Sequence, residues 1–436
     1  MATLRNLLAK AKQLFVQNGE QKMLNLLTKT KPWMVASLLV ATSAFGQNNN
    51  NSCNPPCPPP KPACPPAPCC KPCPPPREPL ACPTIPAYNA PARFETRCPW
   101  DVWIDASFIY WQPFQDNMEP AAVLADPVGA LGAMISANPV ADGVKGRIIN
   151  LNTKFKPGFK VGAGMNFDQD SWDGGVEYTR FHSTHTSAGS SGAYIPMLLS
   201  PTSSVVFIDA ADPLSYVGSY SENWRLNMDL IDVDMGRSYY VGTFLTFRPS
   251  VGARGGWINQ TLNVSYDSFL IAQVLSGTLG TATASATVAQ KTKSWFVGPR
   301  FGINTNWMLG GWGCNSQCYE GFRILGNAYA DLVFTRFQTR ATNAVSTAGV
   351  ATAGSVWAQQ KINTVRTHLD FELGIGWGSY FDNNNWHFDL SATYGFQVFF
   401  DQNMFRNGPM ALNSITYMPM GNLYIQGLTV TARLDF

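Results

Sequence analysis

Trp386–Val398 reads WHFDLSATYGFQV, and this stretch decides the fold. Apolar and polar side chains alternate along it, so the apolar ones share one face of an extended strand. The same period of two recurs in Val365–Gly378, in Phe159–Phe167 and in the terminal stretch Leu428–Phe436. Tryptophans stand near the ends of several apolar rows, where an aromatic girdle meets lipid headgroups. The pattern therefore predicts strands that cross a membrane with one apolar and one polar face.

Counting such stretches predicts an all-β, transmembrane antiparallel β-barrel of about ten strands over 100–436. The predicted strands lie near 101–112, 155–168, 172–182, 224–235, 243–260, 294–308, 322–338, 363–378, 386–400 and 423–436. The connections alternate between shorter turns at 168–171, 236–240, 309–321 and 379–385 and long loops around 113–154, 183–223, 261–293, 339–362 and 401–422. Short turns in such barrels are periplasmic and long loops are external, so an even count puts both termini in the periplasm. Further strands within the long loops would raise the total to between twelve and sixteen.

Composition supports a membrane barrel. Charged residues make up 14% of the chain and hydrophobic residues 45%, whereas an ordinary soluble protein has about 25% charged residues. Downstream of residue 46 no apolar run reaches the ~18 residues that a transmembrane helix needs. The net charge of +3, without a basic cluster among aromatics, argues against a nucleic-acid partner. The expected partners are outer-membrane lipids and small hydrophilic solutes or ions, and homo-oligomers are an open alternative.

Residues 1–46 carry the pattern of a secretory signal. Lys29 and Lys31 precede the apolar stretch Trp33–Ala44, and small residues follow at the expected cleavage site near Gly46. A start at Met23 would give this signal an ordinary length. The alternative, an N-terminal anchor helix, fits less well because the apolar core is too short to span a bilayer. Export to the bacterial outer membrane is therefore expected.

Residues 47–99 form a Pro/Cys-rich segment that we expect to be a disordered, extended periplasmic tether. Proline removes backbone donors and fixes φ, so neither a helix nor an interior strand can form there. Exported thiols tend to pair, and a stiff rod favours disulfides between chains, with other envelope proteins as partners. A metal site at Cys69-Cys70-x-x-Cys73 is the weaker alternative, since structural zinc needs a folded frame. The candidate disulfide residues are Cys53, Cys57, Cys64, Cys69, Cys70, Cys73, Cys82, Cys98, Cys314 and Cys318.

Catalytic and metal-binding patterns are weak. His182-x-x-His185 has no acidic or cysteine ligand near it in sequence, which favours plain surface histidines. His368, Asp370 and Ser391 could be imagined as a catalytic set, but no motif around a serine supports one. We therefore predict a protein that is not an enzyme and holds no cofactor or metal.

Three stretches resemble a known family. They are Trp103–Trp111 (WIDASFIYW), Phe247–Ile258 (FRPSVGARGGWI) and Val297–Gly302 leading to Trp307. They are similar to pore-forming outer-membrane proteins of the Legionella and chlamydial major-outer-membrane-protein-like type, over roughly 100–436. The resemblance implies a surface-exposed channel for small solutes in an envelope stabilised by disulfides. The Cys/Pro-rich segment departs from the family pattern, so its role depends on its own chemistry.

The polar face of the strands predicts what the lumen contains, since charged lumen side chains tune ion selectivity. The predicted pore-lining residues are Arg248, Arg254, Arg300, Arg323, Arg366, Asp370, Glu372 and Asp389. Lys160, Glu177, Asp331, Arg433 and Asp435 also point inward by parity, which leaves the sign of any selectivity open. The sequence thus predicts an outer-membrane porin with passive diffusion of small solutes. The alternative is a structural or adhesive surface protein that uses a closed barrel as its anchor, because about ten strands leave little free bore.

Overall fold

The structure is a computed structural model. It describes residues 83, 85–92, 95–96, 101–124, 146–167, 170–196, 198, 217–275, 278–309, 320–347, 350–351, 355–405 and 420–436. The signal region and all ten cysteines lie outside these residues. Among the residues described there is no helix of the length and apolarity needed to cross a membrane.

Ten antiparallel strands close into a barrel, as predicted. They are β1 (Val102–Gln115), β2 (Lys156–Asn166), β3 (Trp172–Pro196), β4 (Val217–Arg237), β5 (Leu245–Leu275), β6 (Thr278–Met308), β7 (Gly321–Thr347), β8 (Ser355–Phe381), β9 (Trp386–Asn403) and β10 (Gly421–Asp435). Each pairs with its sequence neighbour, and β10 pairs with β1, from Leu423 opposite Gln115 to Asp435 opposite Trp103. Two backbone hydrogen bonds between Val102 and Phe436, of 3.0 and 3.2 Å, finish the closure.

Side-chain exposure separates a lipid face from a lumen face. On β8, Phe371, Leu373 and Ile375 are 49%, 67% and 60% exposed, whereas the neighbouring Asp370 is 2% exposed. Such alternation, apolar outward and polar inward, is what a membrane barrel requires. The parity predicted from the sequence is therefore confirmed on this strand.

The strands run much further than the sequence predicted. The expected loop at 261–293 is almost wholly strand, because β5 and β6 stay paired up to Leu275 opposite Thr278. Much of 183–223 and 339–362 likewise belongs to β3, β4, β7 and β8. The prediction of long loops there was wrong for a physical reason. Beyond the membrane both faces carry Ser, Thr, Asn and Lys, so the period of two fades while the backbone ladder continues.

The barrel ends differ. The connections 167–171, 238–244, 309–320 and 382–385 lie at the end that also holds the start of β1 and the end of β10. A short strand, Ala87–Pro91, pairs there with Tyr239–Gly242 in the turn between β4 and β5. The last part of the segment 47–99 is thus tied to the turn end of the sheet. In outer-membrane barrels that end faces the periplasm.

Candidate functional site

The lumen in the turn half of the barrel contains a polar cavity of about 310 Å³. Alternate residues of at least eight strands point into it, which is a direct result of the two-residue period. Eight carboxylates line it: Asp105, Asp173, Glu177, Asp232, Asp234, Asp370, Glu372 and Asp389. Five basic side chains line it: Lys160, Arg248, Arg300, Arg323 and Arg433.

Arg254 and Asp331 are at the centre of the charge network. The Arg254 guanidinium donates to both carboxylate oxygens of Asp232, at 2.6 and 2.8 Å. It also donates to Asp331 Oδ2 at 3.0 Å. Arg300 donates to both oxygens of Asp331 at 3.1 Å and to Asp370 Oδ2 at 3.4 Å. Two guanidinium groups therefore share three buried carboxylates, which come from β4, β7 and β8, and each charge compensates the desolvation of the others.

Four further basic side chains around this centre form ion pairs. Arg248 binds Asp173, with Nε at 2.8 Å from Oδ1, and binds Asp234 Oδ2 at 2.7 Å. Lys160 Nζ lies 3.2 Å from Glu177 Oε1 and 3.8 Å from Glu372 Oε1.

The other two of these basic side chains are Arg323 and Arg433. Arg323 pairs with Asp389. Arg433 pairs with Asp435 at 2.6 Å and stacks over the Trp103 ring, 4.4 Å from its centroid. Most lumen charges thus have partners, so the free bore is narrow.

The predicted pore-lining residues fall into three groups. Arg248, Arg300, Arg323, Asp370, Glu372 and Asp389 line the cavity. Arg254 is 2% exposed and lies behind the cavity wall in the ion-pair centre. Arg366 is set apart from the cavity: its guanidinium pairs with Asp401 at 3.3 Å and lies over the Phe337 ring.

Four lining carboxylates were missed at the sequence level. Asp105 stands in WIDASFIYW, Asp173 opens β3, and Asp232 and Asp234 alternate with Ile231 and Val233 on β4. The two-residue alternation would have found Asp105, Asp232 and Asp234, because exposed apolar side chains such as Ile104, Val233 and Met235 stand next to them in sequence. Their inclusion changes the charge balance of the lumen from nearly even to acidic.

An apolar layer covers the cavity on the side away from the turns. Its inward side chains belong to one buried cluster that includes Trp111, Phe181, Met228, Ile258, Phe296 and Phe399. His368 lies at the border between this layer and the ion-pair centre, with its ring centroid 4.9 Å from Phe296 and 4.5 Å from Phe399.

Connecting segments at the far end fold into the same apolar cluster. Met118, Ala121, Leu198 and Phe405 belong to it. The Tyr266 hydroxyl donates to Pro120 O at 2.6 Å and accepts a bond from Leu198 N at 3.3 Å. The described residues of these connecting segments therefore pack into the outer end of the barrel.

The two histidines of His182-x-x-His185 do not share a site in the fold. His182 and His185 point to opposite faces of β3, where His182 contacts Asp229 on the outside and His185 is buried inside. Within the described ranges no three His, Cys, Asp or Glu side chains are placed to hold a metal ion.

Comparison with known proteins adds to this geometry. A family profile described as "Legionella pneumophila major outer membrane protein precursor" matches residues 94–436. The chain belongs to the Legionella major outer membrane protein family. Membership places this Legionella-type chain in the bacterial outer membrane and confirms the predicted resemblance over the whole barrel. A search among curated proteins returns no significant match.

Solved outer-membrane proteins resemble this family member only distantly. Outer membrane protease OmpT from Escherichia coli is 10% identical with a TM-score of 0.32, over 78% of this chain and 97% of that one. The Pseudomonas putida toluene transporter TodX is 9% identical with a TM-score of 0.19, over 78% and 91%. The transport unit of the autotransporter AIDA-I from Escherichia coli is 8% identical with a TM-score of 0.23, over 77% and 90%. At these scores the likenesses carry no argument about activity.

Proposed function

We propose that this protein is a narrow outer-membrane porin that passes small hydrophilic solutes or ions. The observation that carries the proposal is the polar cavity of about 310 Å³ inside a lipid-facing barrel, lined by thirteen ionisable side chains. Burying charges at membrane depth is costly, so they are found mainly where they line a pathway or a water-filled cavity. A barrel used only as an anchor needs no such cavity.

The lumen charges favour cations. Eight carboxylates face five basic groups in the cavity, an excess of three negative charges. Rings of Asp and Glu select cations because the field of the wall attracts counter-ions. We propose that small cations and neutral solutes pass more readily than anions of the same size.

The apolar layer favours a second candidate, a sealed barrel that holds surface segments in place. Phe296 and Phe399 are 2% and 0% exposed, and the layer they belong to separates the cavity from the outer mouth. For the porin function, this layer must rearrange or open. A sealed barrel would do structural or adhesive work without conducting.

Planar-bilayer recording of the full, refolded protein separates the two candidates. The porin proposal expects stepwise conductance and, in a KCl gradient, a reversal potential of the sign that K⁺ permeation gives. Asp105→Asn together with Glu372→Gln should move that potential toward the anion side, since both carboxylates line the cavity. Asp267→Asn, on the exposed outer face of β5, is the matched control. A silent membrane at high protein concentration would support the sealed barrel instead.

The cysteine-rich segment extends this proposal. We infer that its thiols cross-link the protein into the envelope, because seven cysteines among prolines cannot build a core and the periplasm is oxidising. The strand Ala87–Pro91 supports the placement, since it fixes the end of the segment to the turn end of the barrel.

A further inference from the structure

Five basic side chains form a cluster on the outer face of β6, β7 and β8. This basic patch consists of Lys291, Lys293, Arg336, Arg340 and Lys361. Four of the five are exposed and Arg336 is partly buried. Lys291, Lys293, Arg340 and Lys361 lie on strand extensions that were predicted to be loops, and Arg336 lies within the predicted strand 322–338.

The strand register packs these charges closely. Lys291 lies directly opposite Arg340, and Gln338 lies between Lys293 on one neighbouring strand and Lys361 on the other. Adjacent strands are about 5 Å apart and same-face residues along a strand about 7 Å apart. The patch is therefore of the size of a single charged headgroup.

The patch borders the lipid-facing surface of the barrel. One row closer to the turns, Trp295 lies opposite Arg336, and its ring is 5.9 Å from that of Phe334. Phe334 lies opposite Val365, which is 55% exposed. Because this boundary is at the end away from the periplasmic turns, the patch lies at the headgroup level of the outer leaflet.

The positive charge of the patch is not compensated within the described part of the chain, where no carboxylate pairs with its five members. Asp229, on the outer face of β4, does not pair with the patch. It accepts a hydrogen bond from the Tyr178 hydroxyl at 2.8 Å and lies 3.1 Å from His182 Nε2. Like charges directly opposite in a sheet destabilise it. Arg336 also buries its Nε without a hydrogen-bond partner. An anion with several acceptor oxygens would reduce the repulsion between the basic side chains and would accept a hydrogen bond from Arg336 Nε.

We propose that the basic patch binds the phosphates of the phosphorylated glycolipid of the outer leaflet, a lipid A-type headgroup. Its acyl chains would lie on the apolar row of Trp295, Phe334 and Val365 directly below. Asn259 and Gln338 flank Lys293 in register and offer amide groups to sugar hydroxyls. This inference depends on the outer-membrane location and is independent of whether the lumen conducts.

The test uses the full chain refolded in zwitterionic detergent, titrated with fluorescent diphosphorylated lipid A. Each basic residue near an anionic surface contributes about 1 kcal/mol. The variant Lys291→Gln/Lys293→Gln/Arg340→Gln should therefore bind about a hundredfold more weakly. Lys291→Arg/Lys293→Arg should keep the affinity of the native protein. Heat-modifiable gel migration verifies that each variant has folded, and single substitutions replace the triple variant if it has not.

Matched controls decide the outcome. Arg147→Gln/Lys154→Gln/Arg225→Gln removes the same charge at exposed positions outside the basic patch and should leave binding unchanged. Dephosphorylated lipid A should fail to compete with the fluorescent lipid, and inorganic phosphate should compete only weakly. Any of three results would overturn the proposal. They are an equal loss of affinity in the two triple variants, competition by dephosphorylated lipid A, and inorganic phosphate that binds as tightly as lipid A.

Discussion

Glu222 shows at the scale of one residue how the barrel extension differs from its membrane part. Its side chain points inward on β4, is fully buried, and neither carboxylate oxygen has a hydrogen-bond partner. Burial raises the pKa of Glu222 to about 8, and the charge of Glu119 adds to the effect. The folded protein therefore holds this carboxyl in its neutral form at neutral pH and below.

Glu222→Gln should remove an alkaline loss of stability. Because the folded pKa lies above the unfolded value, the native state binds more protons and stability falls as pH rises from about 5 to about 8. A shift of this size corresponds to a loss on the order of 3–5 kcal/mol once Glu222 is ionised. Denaturant unfolding in detergent, followed by tryptophan fluorescence between pH 6.5 and 9, should show this slope in the native protein and a flatter line in the variant.

His185 sets the lower limit of that pH window. Burial, with a smaller effect from Lys156, lowers the pKa of His185 to about 4. The folded protein therefore loses stability through this histidine only when the pH falls below the pKa that the histidine has in the unfolded chain, 6.5. Above pH 6.5 the two effects do not overlap. Asp267→Asn, an exposed carboxylate on β5, should unfold with the native pH slope. If Glu222→Gln keeps the full alkaline slope, Glu222 is not its source.

At the scale of the element, the long strands combine a membrane part with a packed extension. β6 illustrates this division: Arg300 lies in the ion-pair centre, Phe296 in the apolar layer, and Lys291 faces outward beyond the membrane. Parity predicted the first of these roles, since a polar residue between apolar neighbours points into the lumen.

The apolar layer could not be predicted in the same way. Phe296 is followed by Val297, so both faces of β6 are apolar at this point and the period of two gives no direction. The paired strands of the closed barrel settle the direction. Arg300 points inward, and Phe296, four residues earlier on the same strand, therefore also points inward. The same fading alternation made the extensions of β5 and β6 resemble loops. The membrane part of the fold was therefore predictable, and the apolar layer and the strand extensions were not.

Phe296→Ala should open the apolar layer. The Phe296 ring packs edge-on against His368, and its loss leaves a cavity next to the ion-pair centre. We expect larger or more frequent conductance steps in planar bilayers, together with a loss of about 3–5 kcal/mol in stability, as for other buried Phe truncations. Phe301→Ala, on the lipid face of the same strand, is the matched control. Unchanged conductance in Phe296→Ala, or an equal rise in Phe301→Ala, would mean that this layer does not restrict the pathway.

At the scale of the whole molecule, the two ends of the barrel face different compartments and different chemistry. The outer end carries the basic patch and the connecting segments that pack into the apolar cluster. The turn end holds both barrel termini and the strand Ala87–Pro91. We propose that the proline-rich segment over Cys53–Cys82 is extended, with a reach of about 90 Å at the spacing of a polyproline chain. Such a reach is long enough for thiols to meet those of neighbouring envelope proteins.

Native envelopes run without reductant should therefore show this protein in high-mass species that collapse to the monomer on reduction. Serine in place of the seven cysteines from Cys53 to Cys82 should abolish these species, because we propose that these thiols form the bonds between chains. Cys314→Ser/Cys318→Ser is the matched control: it removes the two cysteines of the sequence between β6 and β7 and should leave most cross-links in place. A monomer in unreduced native envelopes would end the cross-linking hypothesis. Loss of the species in the Cys314/Cys318 variant alone would instead assign the bonds to the barrel rim.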